Sequence, residues 1–169
     1  MGSDGVHTKS DAMTAKFNTT DDDRYLEDYV PGSVHEFGTI AVEEAEVVAF
    51  GRRYDPQLFH TDSAAAQSTV FGGLIASGWQ TAGFMMRLTV QHYLSHVASL
   101  GSPGVDELRW PQPVRPGDTL SVRATVLSAR RSKSKPDRGI VETSFEVLNQ
   151  RGEVVMTAKA INMLKARSA

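Results

Sequence analysis

The stretch from Phe71 to Met86, "FGGLIASGWQTAGFMM", carries no charged side chain, and apolar or small residues fall on every face when it is wound as a helix. Such a helix has no face to give to water. The sequence therefore predicts one that is buried all round, with the rest of the chain arranged about it. Its uncharged part is shorter than the roughly 20 apolar residues of a membrane span and is rich in Gly, Ser, Gln and Thr, so a core helix is expected and no membrane partner.

What can cover that helix is written downstream. "TLSVRATVL" alternates strictly, with Leu120, Val122, Ala124 and Val126 on one face and Thr119, Ser121, Arg123 and Thr125 on the other, the pattern of a half-buried strand. "GIVETSFEVLN" and "EVVMTAKAINML" have strand-like composition and are joined by the turn signal "NQRG", while "VRPGD" and "SKPDRG" punctuate the earlier joins. An antiparallel meander is expected. One long apolar helix followed by amphipathic strands specifies an α+β domain in which a curved antiparallel sheet wraps a long central helix, the hot-dog fold. The 169 residues, 40% of them hydrophobic, suffice for one such domain, placed at 23–166. Residues 1–22 are polar, lack the apolar core of a signal peptide and are read as a flexible leader, partly vector-derived, with Met13 a candidate native start.

Composition narrows the partners. A formal net charge of -2 provides no global basic field to draw in nucleic acid or an anionic membrane surface. The absence of cysteine excludes a disulfide framework, a thiolate nucleophile and any Cys-ligated metal, and makes a cytoplasmic location the simplest fit.

Ahead of the core helix, "EEAEVVAFGRR" places acids in the first turn and arginines in the last, as a helix dipole prefers. "YDPQLFH" follows. Pro56 cannot continue the helix, so Asp55 and His60 can both turn towards one spot. A carboxylate and an imidazole there can hold a water and move protons, and burial beside Leu58 and Phe59 is expected to raise the carboxyl pKa towards working pH. The same residues also fit an Asp55 that caps a turn and a His60 that is a satisfied, half-buried histidine. Asp62 is expected to N-cap a short helix through "SAAAQS". Gly72 and Gly73 are expected to stand just before the core helix and leave its first backbone N–H groups bare, where they could stabilise an oxyanion; a tight turn or close packing would explain them equally.

Taken together, "RYLEDYVPGSVHEFG", "AFGRRYDPQLFHTD", "FGGLIASGW", "LRWPQPVRPGDTLSVRATVL" and "GEVVMTAKAINML" resemble the MaoC-like (R)-specific enoyl-CoA hydratases and dehydratases over about Arg24 to Lys165. The family signature is an Asp-x-Asn-Pro-(Leu/Ile)-His turn followed by a Gly-containing helix start. Here Gln57 stands in for the Asn and the proline has moved to position 56. The resemblance implies that Asp55 and His60 form the catalytic dyad and that Gly73, with Gly72 beside it, provides the oxyanion donor. Thr81 falls near a family serine that supports the Asp. The activity implied is reversible syn hydration of a trans-2-enoyl-CoA, or dehydration of an (R)-3-hydroxyacyl-CoA, with no cofactor beyond the coenzyme A thioester itself. It also implies a homodimer or an assembly of dimers. Two rivals remain open: a hot-dog acyl-CoA thioesterase, and a non-catalytic acyl-CoA-binding subunit.

Simpler roles compete for the remaining side chains. His92 and His96 have a metal-ligand spacing, but no glutamate or third ligand accompanies them, so a solvated helix end is expected and no metal. His35 is expected to be structural. "RRSKSKPDR" gathers cations on a hairpin tip, where Arg131 and Lys133 could meet coenzyme A phosphates or be merely solvated. Trp79, Phe84, Met85 and Met86 are expected in the core or the acyl-pocket wall, and Leu108 and Trp110 on one sheet face ahead of Pro111.

Overall fold

The computed structural model describes residues 14–168. Four α-helices, α1 (Glu44–Tyr54), α2 (Leu58–Thr61), α3 (Ser63–Ala66) and α4 (Gly78–His92), lie with five strands, β1 (Val34–Ala41), β2 (Gly104–Arg109), β3 (Thr119–Arg131), β4 (Arg138–Leu148) and β5 (Val154–Lys165). All neighbouring strands are antiparallel, in the order β1-β3-β4-β5-β2. The expected meander is present as β3-β4-β5. The chain lays down the two edges first, however, β1 against β3 and β2 against β5, and fills the centre last.

The alternation read in β3 sets the inner face. Leu120, Val122, Ala124 and Val126 are fully buried and join Val141, Phe145, Val147, Met156 and Ala158 of the next two strands. Against them α4 places Phe84, Met85 and Leu88, so the sheet and the helix share one apolar core, as the hot-dog expectation requires.

Three expectations are corrected. First, α4 is not buried all round: Trp79, Met86 and Val90 are 64%, 46% and 43% exposed. Their spacing of seven and four residues puts them on one stripe, opposite the core-facing one, which stays largely exposed although Trp110 meets it at Trp79. Second, the leader does not extend to residue 22. Ala15 N–H donates to Val34 O at 2.6 Å, and the Phe17 ring stacks on His35 at 4.2 Å with the Arg24 guanidinium 3.6 Å from its centroid. Residues 1–13, including Met13, lie outside the described residues. Third, Trp110 lies one residue beyond β2, after a bulge at Glu107, whose φ is +52°.

Arg24 is buried because it closes the far end of α4: its guanidinium donates to the carbonyls of His92 and Tyr93 at 3.2 and 2.8 Å and pairs with Asp21 at 2.7 Å. Orphan carbonyls at a helix C-terminus favour a cation there.

At the other end, α1 presses on α2 through Gly51. A Cβ on Gly51 would lie 2.5 Å from the His60 carbonyl oxygen. Alanine is the better helix former by about 1 kcal/mol, but that contact cannot be relieved without moving backbone. Gly51→Ala is expected to destabilise the protein by about 1–3 kcal/mol in urea unfolding. A neutral or stabilising result would show that α1 does not fix the position of His60.

Candidate active site

α1 stops at Tyr54 because Pro56 has no N–H to continue it. Asp55 becomes its C-cap, with its own N–H on Gly51 O at 2.9 Å. The chain turns and re-enters a helix at Leu58, which brings His60 back towards Asp55. The separation of Asp55 Oδ2 from His60 Nε2 is 3.3 Å, so the two predicted side chains do converge. His60 is 4% exposed. Its Nδ1 lies 2.8 Å from Ile75 O. A carbonyl only accepts, so Nδ1 carries a hydrogen, and Nε2 is the nitrogen that faces Asp55 and the cleft.

Asp55 is held by two more donors. Ser77 Oγ donates to Oδ2 at 2.7 Å and Gln57 Nε2 donates to Oδ1 at 2.8 Å. This reverses the expected pKa shift. Burial does push the carboxyl up, but the bonds from Gln57 and Ser77 and the charge of His60 outweigh it, and Asp55 lies below its ordinary 3.8. The resting site therefore holds a carboxylate.

The serine supporting Asp55 is thus Ser77, the N-cap of α4, and not Thr81. Thr81 lies one turn on, where its Oγ1 donates to Ser77 O at 3.3 Å. The glycines are also displaced from their expected role. Gly72 and Gly73 form a turn with φ of +61° and +154°, and Gly73 stands five residues before α4 begins, so the first N–H of the helix belongs to Gly78. That N–H has no intrahelical acceptor. The sequence signal for this start is the Ser-Gly pair in "ASGW", since serine is a preferred N-cap.

His60, Gly78 and Thr81 open on a cleft of about 350 Å³ walled by Phe59, Phe71, Ile75 and Trp110. A larger cavity of about 500 Å³ lies by Tyr25 and Lys165, but its acids face arginines, Asp137 with Arg138 at 2.8 Å and Asp23 with Arg167 at 3.7 Å. The Asp55–His60 pair lies at the smaller one.

The other candidates lie away from it. Arg131 pairs with Glu27 and also donates to Pro136 O. It and the exposed Lys133 lie at the far end of β3, a strand on the order of 40 Å long that starts just after the cleft residue Val114. His92 and His96 are exposed at the end of α4, with His96 3.3 Å from Asp22. His35 sits in the Phe17–Tyr93 aromatic cluster. Of the four residues expected in the core or pocket wall, Phe84 and Met85 are core and Trp79 and Met86 are exposed. No helix among the described residues is long and apolar enough to cross a membrane.

Residues 28–147 match the family described as the MaoC-like domain. The chain is similar to the crystal structure of a MaoC-like dehydratase from Rhodospirillum rubrum, with 44% identity and a TM-score of 0.79, covering 86% of this chain and 99% of that one. It is also similar to an R-hydratase from Pseudomonas aeruginosa solved without ligand, with 25% identity and a TM-score of 0.66 over 85% of this chain and 86% of that one. A Mycobacterium tuberculosis protein with a double hot-dog fold matches at 18% identity and a TM-score of 0.73, covering 85% of this chain and 44% of that one, a likeness of fold.

The Asp55 network has a sign that can be measured. A carboxyl whose folded pKa lies below 3.8 adds stability at neutral pH, and the gain disappears as pH falls below 3.8 through the folded value. Ser77→Ala and Gln57→Ala each remove a donor to the charged form. Both are expected to move the Asp55 titration, followed by carboxyl-carbon NMR, to higher pH. No movement in either would show that these bonds do not hold the carboxylate down.

Proposed function

The chain belongs to the MaoC-like domain family, and from that premise we propose that it is a hydro-lyase interconverting a trans-2-enoyl-CoA and an (R)-3-hydroxyacyl-CoA. The observation that carries this reading is the convergence of Asp55 and His60 at 3.3 Å beside a cleft that also contains the Gly78 helix start. The dehydratase and R-hydratase neighbours support the same reaction class.

In the hydration direction, Asp55 enters as a carboxylate and His60 with a proton on Nε2 as well as on Nδ1, and the pair holds one water. As its oxygen adds to Cβ of the enoyl group, one proton passes to an Asp55 oxygen. Electron density moves through Cα to the thioester carbonyl, whose oxygen becomes an enolate at the Gly78 N–H, a donor class typically worth about 3–4 kcal/mol of barrier. The enolate collapses as His60 Nε2 delivers a proton to Cα. Hydroxyl and hydrogen arrive from the same side, so the addition is syn. The proton on Asp55 then crosses to His60 Nε2 and resets the pair. Asp55 is a weak base at rest. A thioester that dries the cleft removes solvent from the carboxylate and raises its proton affinity.

The protein also acts, in this reading, as a homodimer. The outer edge of β2 carries no strand among the described residues, whereas β1 is partly covered by the Thr14–Ala15 segment. A bare edge with the half-exposed Val105 on it, and an exposed apolar stripe on α4, are surfaces that a second copy can bury.

Asp55→Asn and His60→Ala should each lower hydration of crotonyl-CoA by about 10²–10⁴, measured as loss of enoyl absorbance. A thiol trap should stay silent, since released thiol would mean thioester hydrolysis. Retained hydration in either variant would remove that residue from the chemistry. For the assembly, Val105→Glu combined with Met86→Glu should halve the mass seen in sedimentation equilibrium, and an unchanged mass would place the interface elsewhere.

A further inference from the structure

The cleft beside His60 is small, and Trp110 forms part of its wall. On the α4 side it is lined by Gly78 and Thr81, a rise of about 4.5 Å, and the next turn contributes nothing because Phe84 and Met85 are packed into the core. Trp110 forms the adjoining wall.

Three features pin the indole in place. A Cβ on Gly78 would lie 2.6 Å from Trp110 Cε2, so the ring rests directly on the helix start. The Trp79 ring meets it edge-on, with centroids 5.6 Å apart and planes at 72°. Downstream, Pro111 and Pro113 restrict the backbone, and the Ala76 N–H bonds Val114 O at 2.8 Å, tying the segment to the residues that lead into α4. The ring cannot swing aside to admit more chain without breaking its packing on Gly78. A volume of about 350 Å³ is at the small end for ligand pockets, and it must hold the thioester as well as the acyl group.

We propose that Trp110 sets the acyl-chain length this protein accepts, restricting it to short acyl thioesters. The inference rests on the reading above, in which the thioester carbonyl sits at the Gly78 N–H. Trp110 moves no proton in it. The indole ends the space available beyond the reacting carbons.

The test uses binding and turnover separately. Butanoyl-CoA and decanoyl-CoA are titrated calorimetrically into the wild type, Trp110→Leu and Trp110→Ala. The wild type should bind butanoyl-CoA at least about tenfold more tightly, and either variant should shrink that preference by about tenfold, the scale of one or two methylenes in an apolar pocket. In Trp79→Phe, where Trp110 is the remaining tryptophan, butanoyl-CoA should alter the emission and free coenzyme A should not. With trans-2-enoyl esters, the ratio of kcat/KM for decenoyl over crotonyl should rise by about tenfold or more in the Trp110 variants. Equal binding of both esters by wild type, or ratios that stay put in a folded variant, would overturn the proposal. Length-selective binding that depends on Trp110 without any turnover would uphold it while removing the hydro-lyase reading. Turnover without length selection would do the reverse.

Discussion

A backbone carbonyl, that of Ile75, decides what His60 can do. By accepting from Nδ1 it keeps a hydrogen on that nitrogen and points Nε2 at Asp55 and the cleft. The carbonyl is placed by the segment between α3 and α4, which Ile75 N–H on Phe59 O ties to α2 and Ala76 N–H on Val114 O ties to the approach of β3. Nε2 is thus oriented by peptide groups from three stretches of chain.

Asp55 is treated in the opposite manner, through side chains. Ser77 and Gln57 each bond one carboxylate oxygen, and their pull, with the charge of His60, outweighs the upward push of burial on its pKa. Ser77 does more than donate. As the N-cap of α4 it also accepts from Trp79 N–H at 3.3 Å, so the residue that holds the carboxylate marks the start of the helix whose first residue lines the cleft. The carboxylate and the proposed oxyanion donor are therefore set by one residue pair, Ser77 and Gly78.

The sheet face and the dyad are legible in the sequence because both depend on local pattern. Period-two alternation in β3 and a proline between two helical runs survive folding unchanged. The start of α4 is hidden because "FGGLIASG" is apolar and small throughout, so hydrophobicity marks no boundary, and Gly72 and Gly73 offer a competing break ahead of the true cap at Ser77. The direction of the Asp55 shift is hidden for a different reason. Its adjacent sequence shows mostly apolar neighbours, while one of its two hydrogen-bond donors comes from 22 residues away. Likewise the exposed stripe on α4 has the composition of a core face, and only the placed sheet distinguishes the side it covers from the side it leaves open.

The strand order also ties the site to the sequence in which the chain is made. β1 ends at Ala41, but its neighbour β3 begins only at Thr119, and β2 likewise waits for β5. Asp55, His60 and Ser77 all lie in the interval between β1 and β3. While they are on the ribosome the sheet that supports α4 does not yet exist, so the apolar side of that helix has no inner face to bury itself against. The last strand, β5, pairs with both β4 and the edge strand β2 and completes that face. A chain cut short before Val154 would contain every group of the acid/base site and lack the surface that holds those groups in register.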